Sequence, residues 1–459
     1  MALRLGEVLL ARQAGSADAA DTVAAVAAAY GLGQAQVNIT ASAITISVPR
    51  GVPGAPVTAM WLVTSRSPDY TRLYEATQLA QRMVYHRPPL SEVEQELTRL
   101  ARRGHPYPRW VSTVALAVAA ASLALLLDAG WLVVGVAGFT TAAIDRVGRW
   151  LNTRQVPLLF QQITAAALAA GVTIGLDAAG RLPSGQAPSL VVAANIAVLL
   201  SGMATVATMQ DAITGYHLTA TSRGVEILLS SIGLLIGVSI AVRIGIAAGV
   251  DVTVSPDIPV ALLSVPTRVL AGALAAAAAA IANYAPIRAA LAGAAGSLLY
   301  LAATYLHTGA VAAAFTAALG IGLAGALGAR RLHVPPLVIA MAGIYPLVPG
   351  LSLYRGFVDL TTSHYPAGLD ALITAAGTAL ALGGGVVLGP LLAPTLRREL
   401  THFRVPLPHP RSRPRRDRAH HPTTDAPHLP RRRGHRPMPS LAGAATSPAL
   451  PPVNPDPPH

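Results

Sequence analysis

The segment VIAMAGIYPLVPG, residues 338–350, contains no charged residue and lies inside a longer apolar stretch, 336–356. Two prolines and a glycine, Pro346, Pro349 and Gly350, fall near the middle of that stretch. Each proline removes a backbone donor and disturbs the preceding turn of a helix. The stretch is long enough to cross a bilayer, so the sequence predicts a transmembrane helix that is interrupted at mid-depth. A structural kink is the alternative explanation for either proline alone.

Comparable apolar stretches lie on both sides of this segment, from residue 111 to about residue 396. A membrane span needs about 20 predominantly apolar residues. Helices on the outside of a soluble core would carry a polar face, which these stretches lack. The candidate spans are 111–127, 130–148, 157–176, 189–209, 223–248, 260–281, 286–305, 309–328, 336–356 and 367–392. The predicted fold class is therefore mainly α, a polytopic α-helical membrane protein with ten transmembrane helices.

The composition of the whole chain agrees with a membrane protein. Of its 459 residues, 53% are hydrophobic and 12% are charged, whereas a soluble domain carries about 25% charged residues. The chain has no cysteine, which excludes disulfides, thiolate metal sites and cysteine nucleophiles. Aromatic residues make up only 5%, which argues against stacking platforms for nucleic acid. We expect no cofactor, no metal and no nucleic-acid partner.

The first 110 residues have a different pattern, with no apolar run of membrane length. Helical spacing alternates with short segments rich in Val, Ile and Thr, which is typical of strands. The predicted order is helix, helix, three strands, helix, helix: Arg4–Gln13, Asp18–Tyr30, Gln36–Thr40, Ile44–Val48, Val57–Thr64, Tyr70–His86 and Leu90–Arg103. This region predicts a small α+β domain, in which His86 and His105 are expected to be solvated.

The arginines predict the orientation in the membrane. If the N-terminal domain is cytoplasmic, twelve arginines near span ends fall on the cytoplasmic side and four on the other. Positive residues concentrate on the cytoplasmic side of membrane proteins. We therefore expect a multi-pass protein of the cell membrane with both termini in the cytoplasm.

The C-terminal tail has a third kind of composition. Residues 401–459 hold 10 of the 34 arginines and 15 of the 37 prolines. A segment of this composition has too few apolar groups to form a packed core. A disordered tail is the prediction, with attraction to anionic lipid as the functional alternative. The predicted domains are 1–110, the cytoplasmic α+β domain; 111–249 and 257–396, two membrane repeats; and 397–459, the disordered tail.

A weak internal repeat underlies that division. Shifted by 148 residues, 190–211 overlays 338–359, so that Gly202 meets Gly350 and Asp211 meets Asp359. When a gap of four residues is closed, 223–245 overlays 367–389 and Glu226 meets Asp370. Each copy would have five spans, and an odd number gives the two copies opposite orientations. Inverted repeats of this kind are common in secondary transporters, which bind substrate near the midplane at broken helices.

Polar residues within the apolar body are the candidate substrate-binding groups, because such groups are costly in a bilayer and usually functional. Hydrogen bonding between helices is the alternative for Gln161 and Asn195. The predicted substrate-binding residues are Gln161, Asn195, Ser201, Gly202, Tyr345, Pro346, Pro349 and Gly350.

Four acids are the candidate proton carriers: Asp211, Glu226, Asp359 and Asp370. For Asp211 and Asp359 the alternative is a charge at the membrane interface. For Glu226 and Asp370, each close to the start of a span, the alternative is helix capping.

Three motifs resemble a known family. The N-terminal α+β module, RRGHPYPRW at 102–110 and QDAITG at 210–215 resemble the threonine/serine exporter family, and the absence of lysine suits an actinobacterial member. PLVPG at 346–350 is similar to the signature of that family's second half. First-half members often carry Pro-Gly or Ala-Gly where this chain has Ser201-Gly202.

The resemblance covers about residues 3–396. It implies ten spans in two related halves, a cytoplasmic N-terminal domain, and efflux of threonine and serine driven by the proton gradient. The implied partners are these amino acids, protons and the lipid bilayer, and the sequence allows a homo-oligomer.

Two other functions are alternatives to transport. The N-terminal domain of the family has been likened to a hydrolase, but no Gly-x-Ser-x-Gly, His-Glu-x-x-His or lysine-bearing phosphate loop occurs in the sequence. A transporter without enzymatic activity is therefore the expectation. A membrane-anchored sensor or scaffold, with the N-terminal domain binding a partner, is the second alternative.

Overall fold

The structure is a computed structural model. It describes residues 1–40, 42–49, 55–63, 67–181, 191–192, 194–195, 199, 202–250, 265–304, 309–332, 336–347, 350–361 and 365–402. Ser201, Pro349 and nearly all of the predicted tail lie outside the described residues.

Residues 1–102 form the predicted series of helices and strands, which we call the N-terminal module. Its elements are α1 (Ala2–Ala11), α2 (Ser16–Ala29), β1 (Gln36–Thr40), β2 (Ala43–Val48), β3 (Val57–Leu62), α3 (Tyr70–His86) and α4 (Leu90–Arg102). The strands form an antiparallel sheet in the order β1-β2-β3. Alternation places Ile44 and Ile46 of β2 in the core, as the period of a strand requires. Leu5 and Leu9 of α1 complete that core.

Long apolar helices make up most of the remaining chain. They are α5 (Arg109–Leu126), α6 (Trp131–Thr153), α7 (Leu158–Ala178), α8 (Gly202–Ile213), α9 (His217–Ala247), α10 (Val265–Ala282), α11 (Ile287–Thr304), α12 (Ala310–Leu332), α13 (Pro336–Ile344), α14 (Gly350–Thr361) and α15 (Tyr365–His402). Residues 191, 192, 194, 195 and 199 are also helical. Each predicted span overlaps helical residues.

Six helices in the described part of the chain are long and apolar enough to cross a membrane: α5, α6, α7, α9, α12 and α15. Three shorter apolar helical segments, 266–282, 287–296 and 338–347, accompany them. The protein is thus a multi-pass α-helical membrane protein, as its sequence predicts.

The helices pack through small residues and present large ones outward. Alanines such as Ala119, Ala166 and Ala318 are fully buried, whereas Phe139 is 75% and Leu291 is 65% exposed. Small residues allow close approach of helix backbones in lipid, where burying apolar surface between helices gives little gain. The exposed leucines and phenylalanines therefore form an apolar outer surface, which is typical of a membrane protein.

Two close glycine contacts relate the two halves of the body. A Cβ atom on Gly237 of α9 would lie 2.2 Å from the carbonyl oxygen of Ile163 and 2.8 Å from Cβ of Ala166 in α7. A Cβ atom on Gly385 of α15 would lie 2.9 Å from the carbonyl oxygen of Phe315 and 2.7 Å from Cβ of Ala318 in α12. In both helix pairs the glycine meets a backbone carbonyl oxygen and the Cβ atom of an alanine three residues further along the chain.

These contacts offer a second register for the sequence overlay. Gly237 and Gly385 are 148 residues apart, as are the first residues of α9 and α15, His217 and Tyr365. The overlay with the four-residue gap, which pairs Gly233 with Gly377 and Glu226 with Asp370, also places its glycines against α7 and α12, so the repeat and its register stay predictions. Alanine, leucine and glycine dominate both stretches, so residue identities alone could not fix the register.

The N-terminal module packs against the ends of several membrane helices. The first turn of α2 meets the end of α8, where Ser16 N–H donates to Asp211 at 2.9 Å. The start of α3 meets the turn between α10 and α11, where Tyr70 N–H donates to the carbonyl of Asn283 at 3.1 Å. The module is therefore held to both halves of the body by hydrogen bonds.

Candidate functional site

The predicted interruption is present in the second half of the body. Helix α13 ends at Ile344, a 3-10 turn covers Tyr345–Leu347, and α14 begins at Gly350. Leu347 is buried, and Tyr345 and Pro346 are half-buried. A helix that ends in mid-span leaves backbone N–H and C=O groups without partners inside the helix, and these groups are what a zwitterion could bind.

The first turn of α14 faces the first half of the body. Leu353 packs against a buried cluster to which α7 and α9 contribute Ala166 and Leu234. Two residues later, Arg355 has its Nε atom buried with no hydrogen-bond partner among the described residues. Asp359, the predicted proton carrier of this helix, is 9% exposed.

In the first half, Asn195, one of the predicted substrate-binding residues, is hydrogen-bonded to neighbouring residues. Asn195 is completely buried. Its Oδ1 accepts from the hydroxyl of Thr141 in α6 at 2.6 Å, and its Nδ2 donates to the carbonyl of Val191 at 2.9 Å. Gly202 begins α8, the counterpart of Gly350 at the start of α14.

Of the other predicted residues, Gln161 and Asp370 lie near the starts of their helices, whereas Glu226 is the tenth residue of α9 and does not cap it. Gln161 is half-buried in the first turn of α7, where its Nε2 donates to the carbonyl of Val156 at 2.7 Å. Glu226 in α9 and Asp370 in α15 are exposed. The structure therefore does not bring these three side chains into a described polar cluster with the helix break.

Asp211 joins the N-terminal module to the membrane helices. Its side chain is fully buried at the end of α8. One carboxylate oxygen accepts from Ser16 N–H in the first turn of α2, and the other lies 2.7 Å from Arg223 Nη1 of α9. A carboxylate is favoured both at a helix N-terminus and beside a guanidinium, so this residue holds three helices together.

Asp18 lies close to this contact, also in the first turn of α2. Partial desolvation raises the pKa of Asp18, and the nearby carboxylates of Asp21 and Asp211 raise it further. No local pattern in the sequence points to Asp18, because only the fold brings α2 against α8.

A second contact of the module was also missed. Asp69 is buried and caps α3 by accepting from Arg72 N–H at 3.0 Å. His105 Nδ1 lies 2.9 Å from the second carboxylate oxygen of Asp69, and its ring stacks on Tyr284 with centroids 4.1 Å apart. The expectation that His105 is solvated is therefore wrong, whereas His86 is exposed as expected.

Comparisons with known proteins assign the family. One family model, described as "Putative threonine/serine exporter", matches residues 1–245, and a second, described as "Threonine/Serine exporter, ThrE", matches residues 267–392. A Mycobacterium tuberculosis protein named "Probable threonine/serine exporter" is 40% identical over 408 residues, which cover 86% of this chain and 76% of that protein.

A second relative agrees. The "Threonine/serine exporter" of Corynebacterium glutamicum is 33% identical over 410 residues, covering 87% of this chain and 83% of that protein. No solved structure matches the chain. These names describe transporters, and they give no support to the sensor or scaffold alternative. The chain belongs to the threonine/serine exporter family.

Proposed function

We propose that this protein exports threonine and serine across the cell membrane by proton-coupled antiport. The observation that carries the proposal is the interrupted helix α13–α14 in a chain whose relatives are named threonine/serine exporters. Broken helices at mid-depth are the usual place where secondary transporters bind small charged solutes.

The proposed body has ten spans in two inverted repeats. Support comes from the helix ends that lie on the same side as the N-terminal module. The ends of α8 and α10 contact the module directly, and the start of α9 contacts the end of α8. The start of α5 contacts the end of α6, where Arg149 donates to the carbonyl of Arg109 at 3.3 Å. If every span crosses once, the first half starts on the module's side and the second half starts on the opposite side. Five spans per half require this.

The proposed binding site lies at the two helix breaks. The substrate carboxylate would meet free N–H groups at the start of α14, and the ammonium would meet carbonyls at the end of α13. The residues proposed to line the site are Gln161, Asn195, Ser201, Gly202, Tyr345, Pro346, Pro349 and Gly350. For Asn195, whose hydrogen bonds are already made, binding would require exchange of the bond from Thr141.

We assign proton transfer to Asp359 first among the four acids. It is buried and follows the break by about two and a half turns. Asp211 is already paired with Arg223 and accepts from Ser16 N–H, so its carboxylate is engaged in a structural contact. Glu226 and Asp370 are exposed and are less constrained by the fold.

Counterflow in proteoliposomes tests the substrate. Vesicles loaded with unlabelled threonine or serine should accumulate external labelled threonine when they contain this protein, and a pH gradient should increase the accumulation. An Asp359→Asn variant should retain threonine exchange and lose its response to the pH gradient. Absence of counterflow with both amino acids, in protein that elutes as a single folded species, contradicts the proposed function.

A further inference from the structure

A cavity of about 580 Å³ lies where the N-terminal module meets the membrane helices. Helix α2 contributes Asp18 and Asp21, α8 contributes Gln210, and α13 and α15 contribute Ala340 and Val386 among others. Its size is in the range of small-molecule sites, about 300–1,000 Å³. The cavity is thus walled by the module and by both halves of the membrane body.

Hydrogen-bond acceptors dominate the polar lining. Asp18 and Asp21 are the charged residues among those that line the described cavity, and no basic side chain joins them. The hydroxyls of Thr22, Thr77 and Thr214 also line it, and each already donates to a carbonyl of its own helix or of the preceding turn. They therefore offer only lone pairs to a ligand, as a cation requires.

Gln210 provides an independent indication of a ligand. The residue is 8% exposed, it lines the cavity, and its carboxamide has no hydrogen-bond partner in the described part of the chain. A methyl group on Gly15 would lie 3.4 Å from Gln210 Nε2, so the amide is confined against the module. The carboxamide atoms of Gln210 are open to the cavity rather than fully enclosed, so a polar ligand there would hydrogen-bond an amide that the described residues leave unpaired.

The position of the cavity relates it to the helix break. Ala340 lines the cavity and precedes Tyr345 by five residues on α13. At a rise of about 1.5 Å per residue, the two positions are about 7.5 Å apart along the helix axis. A solute in the cavity would lie next to the broken segment, on the side of the module.

We propose that this cavity is a capture site for a small neutral hydroxy amino acid. Asp18 and Asp21 bind the ammonium group of the amino acid, and Gln210 binds the oxygen atoms of the amino acid. The assignment rests on the proposed export of threonine and serine and adds a second site to it. Apolar residues such as Val386 and Leu391 would receive the methyl group of threonine. Anionic amino acids are disfavoured because the lining has acids and no bases.

Protection of a single cysteine tests the site directly, because the natural chain contains none. Ala17 lines the cavity, so Ala17→Cys reports on its occupancy; Ala101 is exposed at the end of α4, so Ala101→Cys is the matched control. In the full chain reconstituted in nanodiscs, threonine should slow maleimide labelling of Ala17→Cys and leave Ala101→Cys unchanged. Equal labelling rates with and without threonine would overturn the proposal.

Two analogues identify the group that is bound. 1-Amino-2-propanol is threonine without its carboxylate, and 3-hydroxybutyrate is threonine without its ammonium. The amine should protect Ala17→Cys and the acid should not, since the site is built from acceptors. Protection by 3-hydroxybutyrate equal to that by the amine overturns the assignment, and this comparison needs no change to the acids.

Removing the acids provides the complementary test. Asp18→Asn with Asp21→Asn, in the Ala17→Cys chain, should raise the threonine concentration for half-protection by at least about tenfold. Glu92→Gln, an exposed acid in the first turn of α4, should not change it. An unchanged concentration in the double variant contradicts the role of the two acids.

Counterflow measured on the same preparations separates this proposal from the function. If the protein exchanges threonine but Ala17→Cys is never protected, only the capture site is wrong. If it neither exchanges nor binds threonine, the proposed function fails and the capture site fails with it.

Discussion

Asp211, a predicted proton carrier, makes a structural contact that its position in the sequence does not reveal. An acid among apolar residues needs a partner. Its partners are Arg223, twelve residues away, and the N–H of Ser16, 195 residues away. No local pattern in the sequence relates Asp211 to Ser16. The sequence could therefore predict that this carboxylate matters, and only the fold explains that it joins the N-terminal module to the membrane helices.

We expect Asp211→Asn to destabilise the protein strongly. The variant would leave Arg223, whose side chain is 10% exposed, without its charged partner. Losing one member of a buried pair costs about 3–5 kcal/mol of unfolding free energy. Glu94→Gln is the matched control, because the Arg4–Glu94 pair is exposed and such pairs contribute about 0–1 kcal/mol. Urea unfolding of the detergent-solubilised chain measures both, and equal effects would show that the Asp211 contact is dispensable.

Asp18 should make stability depend on pH. Its pKa is raised above the ordinary 3.8 by partial desolvation, Asp21 and Asp211. The folded state then holds a proton that the unfolded state has released, so stability falls as the pH rises from about 4 through the pKa of the folded state. Asp18→Asn removes this loss. The variant should melt at a higher temperature than the natural protein at neutral pH and at the same temperature near pH 4; a lower melting temperature at neutral pH contradicts this.

At the scale of helices, the packing of α9 on α7 and of α15 on α12 depends on glycine. Gly237→Ala would place a methyl group 2.2 Å from the carbonyl oxygen of Ile163, and Gly385→Ala would place one 2.7 Å from Ala318 Cβ. Backbone atoms cannot move aside as a flexible side chain can, so each change should cost about 1–3 kcal/mol. Gly175→Ala in α7, with no neighbour within 4 Å, should be neutral or slightly stabilising because alanine favours helix. Thermal unfolding of the three variants decides, and equal melting temperatures would contradict the packing role.

Helices and strands were predicted well because their signals are local. Apolar runs, prolines at helix starts such as Pro336, and the alternation in β2 are each contained in a few consecutive residues. The break at Tyr345–Leu347 follows from two prolines in the same way. The register between α9 and α15 could not be predicted, because it depends on which glycine meets α7 or α12. That contact is made across more than 60 residues of chain.

At the scale of the whole molecule, the N-terminal module connects helix ends that would otherwise be independent. It contacts α8 of the first half through Asp211 and the α10–α11 turn of the second half through Asn283. His105 stacks on Tyr284 of the same turn. Any movement of one half against the other, as alternating access requires, must therefore displace the module from at least one of these contacts. This is the physical reason to expect the module to influence transport without itself crossing the membrane.

The arrangement of the whole chain in the membrane can be tested with single cysteines, since the chain has none of its own. Asn152 at the end of α6 and Ile287 at the start of α11 are exposed on the proposed module side. Ala179 after α7 and Ala310 at the start of α12 are exposed on the proposed opposite side. A membrane-impermeant maleimide should label Ala179→Cys and Ala310→Cys in intact cells, and Asn152→Cys and Ile287→Cys only after permeabilisation.

The reason for this orientation is the arginine distribution, with twelve near span ends on the module side and four on the other. Each half supplies one position on either side, so the four variants test the two halves separately. Labelling of Ile287→Cys from outside, with Asn152→Cys still protected, would show that the second half is not inverted. Labelling of both from outside, with Ala179→Cys and Ala310→Cys protected, would keep the inverted repeat and place the module outside the cell. Either result would move the proposed capture site away from the cytoplasmic face, where an exporter must first meet its substrate.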